Sequence, residues 1–358
     1  MPSLKEIKGR INSISSTLAI TSAMKMVAAA KLQKAQMAIQ NMLPYERRLH
    51  SMLIDLMGAM NISAAASEDG SVRGSGSAER GFDQSGDRLS LSNRHDLAGM
   101  DGAYSLMAQR EVRKVAIVAF ASNSSLCGAF NSNAIREATA VINEYRASGL
   151  GDADITVYSV GRKMAEAMKK LGFPSPADFT KMSDSPSYDA ASALAQELFD
   201  GFVSGRFDKV ELVYNHYKST SSQPTTRQTY LPLSLADATA DLQAGKIADS
   251  ASESDTNRGA EPVGAPVVRQ GSPTTEDLIV EPSKEELIAT LLPKVVRLRV
   301  FTTLLDSTAA EQAARTVAMQ LATDNGNDLL QELTLEYNKG RQQKITSEIL
   351  DLVGGSMQ

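Results

Sequence analysis

Tryptophan is missing from the 358 residues, histidine occurs three times and cysteine once. The single cysteine, Cys127, excludes an intrachain disulfide and any multi-cysteine zinc site, and it fits a reducing compartment. His50, His95 and His216 lack metal-ligand spacing, so each is expected on a surface or a helix face. Aromatics make up only 5% of the chain, which beside abundant Ala, Met and Leu suits long helices better than a β sandwich. No apolar run approaches the length that crosses a bilayer. A basic excess is also missing: the net charge is −5, which argues against an electrostatic grip on nucleic acid.

Nucleotide fingerprints are equally scarce. No G-x-x-x-x-G-K-[ST] loop occurs, and no G-x-G-x-x-G follows a strand pattern. Gly161, followed by Arg162 and Lys163, opens a helix pattern and could mark a phosphate site. One glycine is weak support, and an ordinary strand-to-helix turn is the favoured reading. Cys127 follows a strand pattern in SNSSLCGAFN, a place for a nucleophile, but no His or acid lies nearby in sequence to activate it. A small buried thiol filling the turn is expected instead. Catalytic, cofactor and metal residues are therefore expected to be none.

What is present is helix at both ends. Leu4, Ile7, Ile11, Ile14 and Leu18 alternate spacings of three and four, the seam of a helix that packs on another helix. Ser3 with Glu6, and Ser283 with Glu286, read as capping boxes. The first helix, from residue 3 to about 60, would be roughly 85 Å long, and the last, from about 284 to 355, on the order of 105 Å. Pro44 and Pro293 fall inside these spans and predict kinks. Met24, Met26, Met37, Met42, Met52, Met57 and Met60 enrich the first helix. Most are expected in a coiled-coil core, with Met24 and Met26 turned to a partner beside the small run Ala28 to Ala30. The stretch Glu311 to Thr346 reads as helix yet shows no single apolar stripe, as if several faces meet partners. Asp324, Asn325, Gly326 and Asn327 within it would by propensity be a turn.

Between the terminal helices, Val112 to Phe120, Ile155 to Val160, Lys209 to His216 and Arg227 to Leu233 read as strands. Helices are predicted at Ala134 to Arg146, Arg162 to Leu171 and Ala190 to Val203, giving a βαβαβ order and a mostly parallel, Rossmann-like sheet. Residues 62 to 103 and 236 to 276 are poor in large apolar groups and read as mobile insertions. The expected fold class is α/β: a long antiparallel coiled coil with a Rossmann-like middle domain. Its division is 1–61 N-terminal helix, 62–110 insertion and linker, 111–235 α/β domain, 236–276 second insertion and 277–358 C-terminal helix.

Three stretches, ITSAMKMVAAAKLQKAQ with the later PYERRL, SSLCGAFN, and EQAARTVAMQLATDNGNDLLQELTLEYNKGRQQKITSEILDLVGG, occur in the order found in a known family. The chain resembles the gamma subunits of F-type ATP synthase, in both terminal helices and more loosely in the middle domain. The resemblance lets the last helix run through Asp324 to Asn327. It implies a rotor shaft inside a hexameric ring of alpha and beta subunits, with the middle domain at the base near the epsilon subunit and the c-ring. It also implies a non-catalytic role: rotation presents different faces of the shaft to the catalytic beta subunits.

By the same resemblance Met24, Lys25 and Met26 face the moving loop of beta, and Arg315, Arg341, Gln342, Thr346, Glu348 and Asp351 occupy polar contact positions. The end Leu352, Val353, Gly354 and Gly355 resembles a smooth tip turning in an apolar collar. Asn123, Ser124 and Ser125 stand where the family often has a charged Asp-Arg-Gly. No cysteine lies in 236 to 276, which rules out the thiol switch of chloroplast relatives. That insertion is expected to act as a brake or a partner surface. The start MPSLKEIKGRINSI, with neither a signal peptide nor an import leader, adds the expectation of a bacterial protein peripheral to the inner membrane on its cytoplasmic side. Two other readings stay open: a Rossmann-like nucleotide-dependent enzyme with oligomerisation helices, and a static coiled-coil scaffold.

Overall fold

The computed structural model describes residues 3–59, 106, 110–233 and 284–356. Both insertions, His95, Met60 and the Ser283 capping position lie outside the described residues. Helix α1 spans Leu4–Ala59 and the last helix spans Lys284–Ser356, and both run through their prolines, Pro44 and Pro293. The Glu6 amide donates to Ser3 Oγ at 3.2 Å, which caps α1, while the Glu6 carboxylate takes Arg10 at 2.8 Å.

The elements between them run β1 (Val115–Phe120), α2 (Phe130–Ala147), β2 (Ile155–Val160), α3 (Arg162–Lys170), α4 (Thr180–Asp184), α5 (Tyr188–Val203), β3 (Lys209–Asn215) and β4 (Thr225–Leu231). The long C-terminal helix is α6. The short α4 was not expected from the sequence pattern; five residues are too few to show a helical period. The sheet order is β2-β1-β3-β4, with β1 parallel to both neighbours and β4 antiparallel to β3 at one edge. β4 is tied there by a buried carboxylate. Glu211 on β3 accepts from Arg227 at 2.6 Å, Tyr145 Oη at 2.6 Å and Lys209 at 2.7 Å. Burial pushes the Glu211 carboxyl up, but these donors outweigh burial and hold it below the usual carboxylate range.

β1 is buried along its whole length, as a central parallel strand covered on both faces must be. Val115, Ile117 and Ala119 face α2 and α3, meeting Ala138, Ile142, Met164 and Met168. Ala116, Val118 and Phe120 belong to the other core, with Leu194, Leu198 and Phe202 of α5. The base of the coiled coil belongs to that core too: Leu49, Leu53 and Leu56 of α1, and Ile288, Leu292, Val296 and Leu304 of α6. Tyr230 Oη adds a buried bond to the Val296 carbonyl at 2.9 Å. Head and shaft thus share one hydrophobic core across the sequence boundaries at 61 and 277.

Above the head the two helices pack alone. Leu4, Ile7, Ile11, Ile14 and Leu18 are each at least half-buried, while most of their neighbours on α1 are exposed. On α6 the half-buried or buried positions are Thr323, Gly326, Leu330, Leu333, Tyr337 and Gly340, again at alternating three and four. The pairing is antiparallel, with Leu4 at Gly340, Leu18 at Gly326 and Thr21 bonded to Thr323 at 3.1 Å. A Cβ on Gly326 would stand 2.6 Å from Leu18 Cδ2. The Asp-Asn-Gly-Asn stretch is therefore continuous helix because its glycine is a seam position where α1 comes close. Local propensity, on the order of 1 kcal/mol for one glycine, yields to that packing. Closer to the head, the buried small residues Ala28, Ala35, Ala309 and Ala313 let the helices approach tightly.

The methionine expectation needs correction. Met26, Met37 and Met52 are exposed, and only Met24 and Met42 are half-buried. α1 presents one seam to α6, and the exposed three fall off it. The histidine expectation also fails at His50, which is buried at the junction of shaft and head.

Candidate functional site

In an open parallel sheet the crevice beyond the carboxyl ends of the strands is the usual place for a ligand. Here the chain's own α6 fills it. The turn after β1 reaches α6 through Arg315, whose guanidinium donates to the Ser125 carbonyl at 2.7 Å and to Ser124 Oγ at 2.8 Å. The same guanidinium bonds Glu311 at 2.7 Å, one helical turn back. Glu311 and Arg315 are both buried. Burial raises the Glu311 carboxyl above its ordinary value, against the pull of Arg315. Cys127 is buried against Phe130 and Ala310, with Asn131 Nδ2 3.2 Å from its sulfur, so the thiol fills the turn as expected.

The chain leaving β3 grips α6 one step lower. Asp306 accepts from the Tyr217 amide at 2.8 Å and pairs with His216 Nδ1 at 2.6 Å. From α1, Gln36 Nε2 donates to Tyr217 Oη at 2.6 Å. The bond to Asp306 raises the His216 pKa above its ordinary 6.5, partly offset by burial. A raised folded-state value means that this pair's stabilisation is fully present below the unfolded pKa and is lost as pH rises through the folded one. A histidine NMR titration of the full chain is expected to place the His216 midpoint above 6.5 and to return it there in Asp306→Asn. A wild-type midpoint at or below 6.5 would contradict the pairing.

The glycine candidate is a turn. Gly161 has φ +98°, and a Cβ there would lie 2.0 Å from the Ala121 carbonyl oxygen. The first amides of α3 already have partners: Arg162 N donates to Asn123 Oδ1 at 2.8 Å and Lys163 N to the Ser122 carbonyl at 3.2 Å. Asn123 also donates to the Thr180 carbonyl at 2.7 Å. The uncharged turn Asn123-Ser124-Ser125 thus joins β1 to α3, α4 and α6, and the helix end is filled from within. Among the described residues no group of three or more His, Cys, Asp or Glu is placed to hold a metal ion.

Of the sequence-derived contact residues, Met24 and Lys25 are half-buried and Met26 is exposed, midway along the coil. Arg315 is turned inward, as described. Arg341, Gln342, Thr346, Glu348 and Asp351 are all exposed, on the part of α6 that continues past Gly340, where α1 begins. That single-helix end runs about 24 Å at the rise of an α-helix. Its polar groups bond locally: Thr346 Oγ1 to the Gln342 carbonyl at 2.9 Å, and Lys344 to Glu348 at 3.8 Å. Leu350 and Leu352 are exposed beside them.

A family model described as ATP synthase matches residues 3–357. The ATP synthase gamma chain of Phocaeicola vulgatus is 47% identical over 357 residues and covers 100% of both chains. The chain belongs to the ATP synthase gamma chain family. The gamma chain of Bacteroides thetaiotaomicron is 45% identical over 358 residues, again covering 100% of both. Among solved structures, a chain of the Euglena gracilis mitochondrial ATP synthase, in an OSCP/F1/c-ring assembly, aligns with TM-score 0.52 and 19% identity. It covers 99% of this chain and 93% of that one, which makes the two long helices and intervening sheet a gamma-chain fold. Within that family the Arg315 and Asp306 anchors carried no motif of their own. An arginine and an acid on a helix look like solvated charges until the loops that meet them are known.

Proposed function

We propose that this central-stalk subunit couples rotation at its head to conformational change in a ring of alpha and beta subunits around its coil. It takes no part in the bond chemistry of ATP. The observation that carries the reading is the division of α6: its base lies in the head's core, and its far end is a lone helix with polar and apolar groups exposed on several faces. A shaft that shares a core with its base cannot turn relative to it without unfolding. A tip with unlike faces can offer a different surface to each ring subunit, and that differential contact is what biases a multistate partner.

In this proposal Met24, Lys25 and Met26 meet the moving loop of beta, and Arg341, Gln342, Thr346, Glu348 and Asp351 make polar contacts with the ring. Arg315 serves the same coupling from inside the chain, by holding the head to the shaft. The head faces the epsilon subunit and a c-ring, which keeps the protein peripheral to a bacterial inner membrane. No helix among the described residues is long and apolar enough to cross one. Affinity purification of the full chain from its host tests the assembly. About three nucleotide-binding subunits of each kind per copy of this chain are expected, whereas purification without them, or at equal stoichiometry, would favour a scaffold.

A further inference from the structure

Where the shaft leaves the head there is a cleft of about 670 Å³, bounded by residues 36–50 of α1, residues 299–306 of α6 and the chain leaving β3. Its size falls within the range of small-molecule sites. His50 lines it, is 93% buried by a relative exposure of 7%, and has no hydrogen-bond partner at Nδ1. A buried polar atom left without a partner costs on the order of 1–3 kcal/mol, so its persistence calls for an occupant. Met42, Leu43 and Leu305 give the cleft an apolar wall.

The charges point to an anion. Arg47, Lys218 and Arg299 line the cleft against two carboxylates, Glu46 and Asp306, in a chain whose net charge is −5. Both carboxylates already accept hydrogen bonds from the wall, Glu46 from the Thr302 hydroxyl at 3.1 Å and Asp306 from Tyr217 and His216. We propose that this cleft binds a small organic monocarboxylate with an apolar body, the carboxylate between His50 and Arg299 and the body against Met42, Leu43 and Leu305. A multiply charged anion suits it less, because the excess positive charge is small and the wall is apolar.

Burial and then the neighbouring Arg299 lower the His50 pKa to about 4, so the ring is neutral at pH 7. His50 is faced by Glu46 and Arg47 from its own helix, by Arg299 and Asp306 from α6, and by His216 and Lys218 after β3. A bound carboxylate accepts from the ring and favours its protonation, so binding takes up a proton.

Calorimetry on the full chain, with 4-phenylbutyrate as probe beside 4-phenylbutanol and inorganic phosphate, tests this. The carboxylate is expected to bind saturably below ~1 mM, with heat that changes with the buffer's ionisation enthalpy, and His50→Gln should weaken it about 10-fold. The His50 ring nitrogens should shift in the NMR spectrum. Gln40→Trp, an exposed position on the cleft, should block binding while leaving thermal unfolding unchanged, so the test survives a poorly folded His50 variant. No saturation by ~10 mM, equal binding of the alcohol or of phosphate, or binding that persists in Gln40→Trp would each overturn the proposal.

Discussion

Arg315→Ala is expected to destabilise the chain by about 3–5 kcal/mol, the usual consequence of removing one partner of a buried charge pair. Three groups lose their donor at once: the Ser125 carbonyl, Ser124 Oγ and the buried Glu311 carboxylate. Most of the loss should come from Glu311, left ionised in a poorly solvated site. Adding Glu311→Gln to Arg315→Ala should therefore recover part of the stability, a coupling that a double-mutant cycle by denaturant unfolding measures directly. Arg315→Lys should fall between, since an ammonium cannot reproduce a fork that reaches the turn and Glu311 together. A loss under ~1 kcal/mol in Arg315→Ala would mean that the guanidinium is solvated and anchors nothing. In the assembled complex the same variant should loosen head from shaft.

Gly161→Ala is expected to cost upwards of ~3 kcal/mol, or to prevent folding, because two penalties coincide. The residue sits at φ +98°, which L side chains rarely adopt, and its new Cβ would stand 2.0 Å from the Ala121 oxygen and 2.8 Å from the Ala121 carbonyl carbon. The obstacle is backbone, so no side-chain rotation relieves it. By comparison Gly172, at φ +93° with nothing near its Cβ position, should bear alanine at the strain cost alone, roughly 1–3 kcal/mol. Circular dichroism and thermal unfolding of the two variants give the ordering. If Gly161→Ala were as stable as wild type, the close approach of β2's end to the turn after β1 would be wrong.

These two residues show what a single sequence carries and what it does not. The seam Leu4, Ile7, Ile11, Ile14, Leu18 was legible because a helix-helix contact writes its period into consecutive turns. The β2 strand was legible from Ile155 to Val160 because it is bounded by an acidic turn and by Gly161. The far half of α6 was not, because its seam contains two glycines and a threonine in place of apolar residues, and hydrophobic periodicity cannot register a glycine chosen for closeness. Arg315 and Asp306 were illegible as anchors for another reason: the Ser124, Ser125 and Tyr217 groups that meet them are far away in sequence. His50 read as a surface residue since only the docking of α6, with Arg299, puts it in the interior. The exposed residues Arg341 to Asp351 rest on resemblance, for a contact made with another chain leaves no internal partner to find.

The central claim is that head and coil turn as one body inside a ring. Cys127 is buried, so a cysteine placed by Lys169→Cys on the exposed side of α3 can carry a label alone. With the assembled complex fixed to a surface through its beta subunits, a probe on that cysteine should rotate stepwise in one direction while ATP is hydrolysed. A probe that stays still, or only fluctuates, while the same molecules hydrolyse ATP would contradict it.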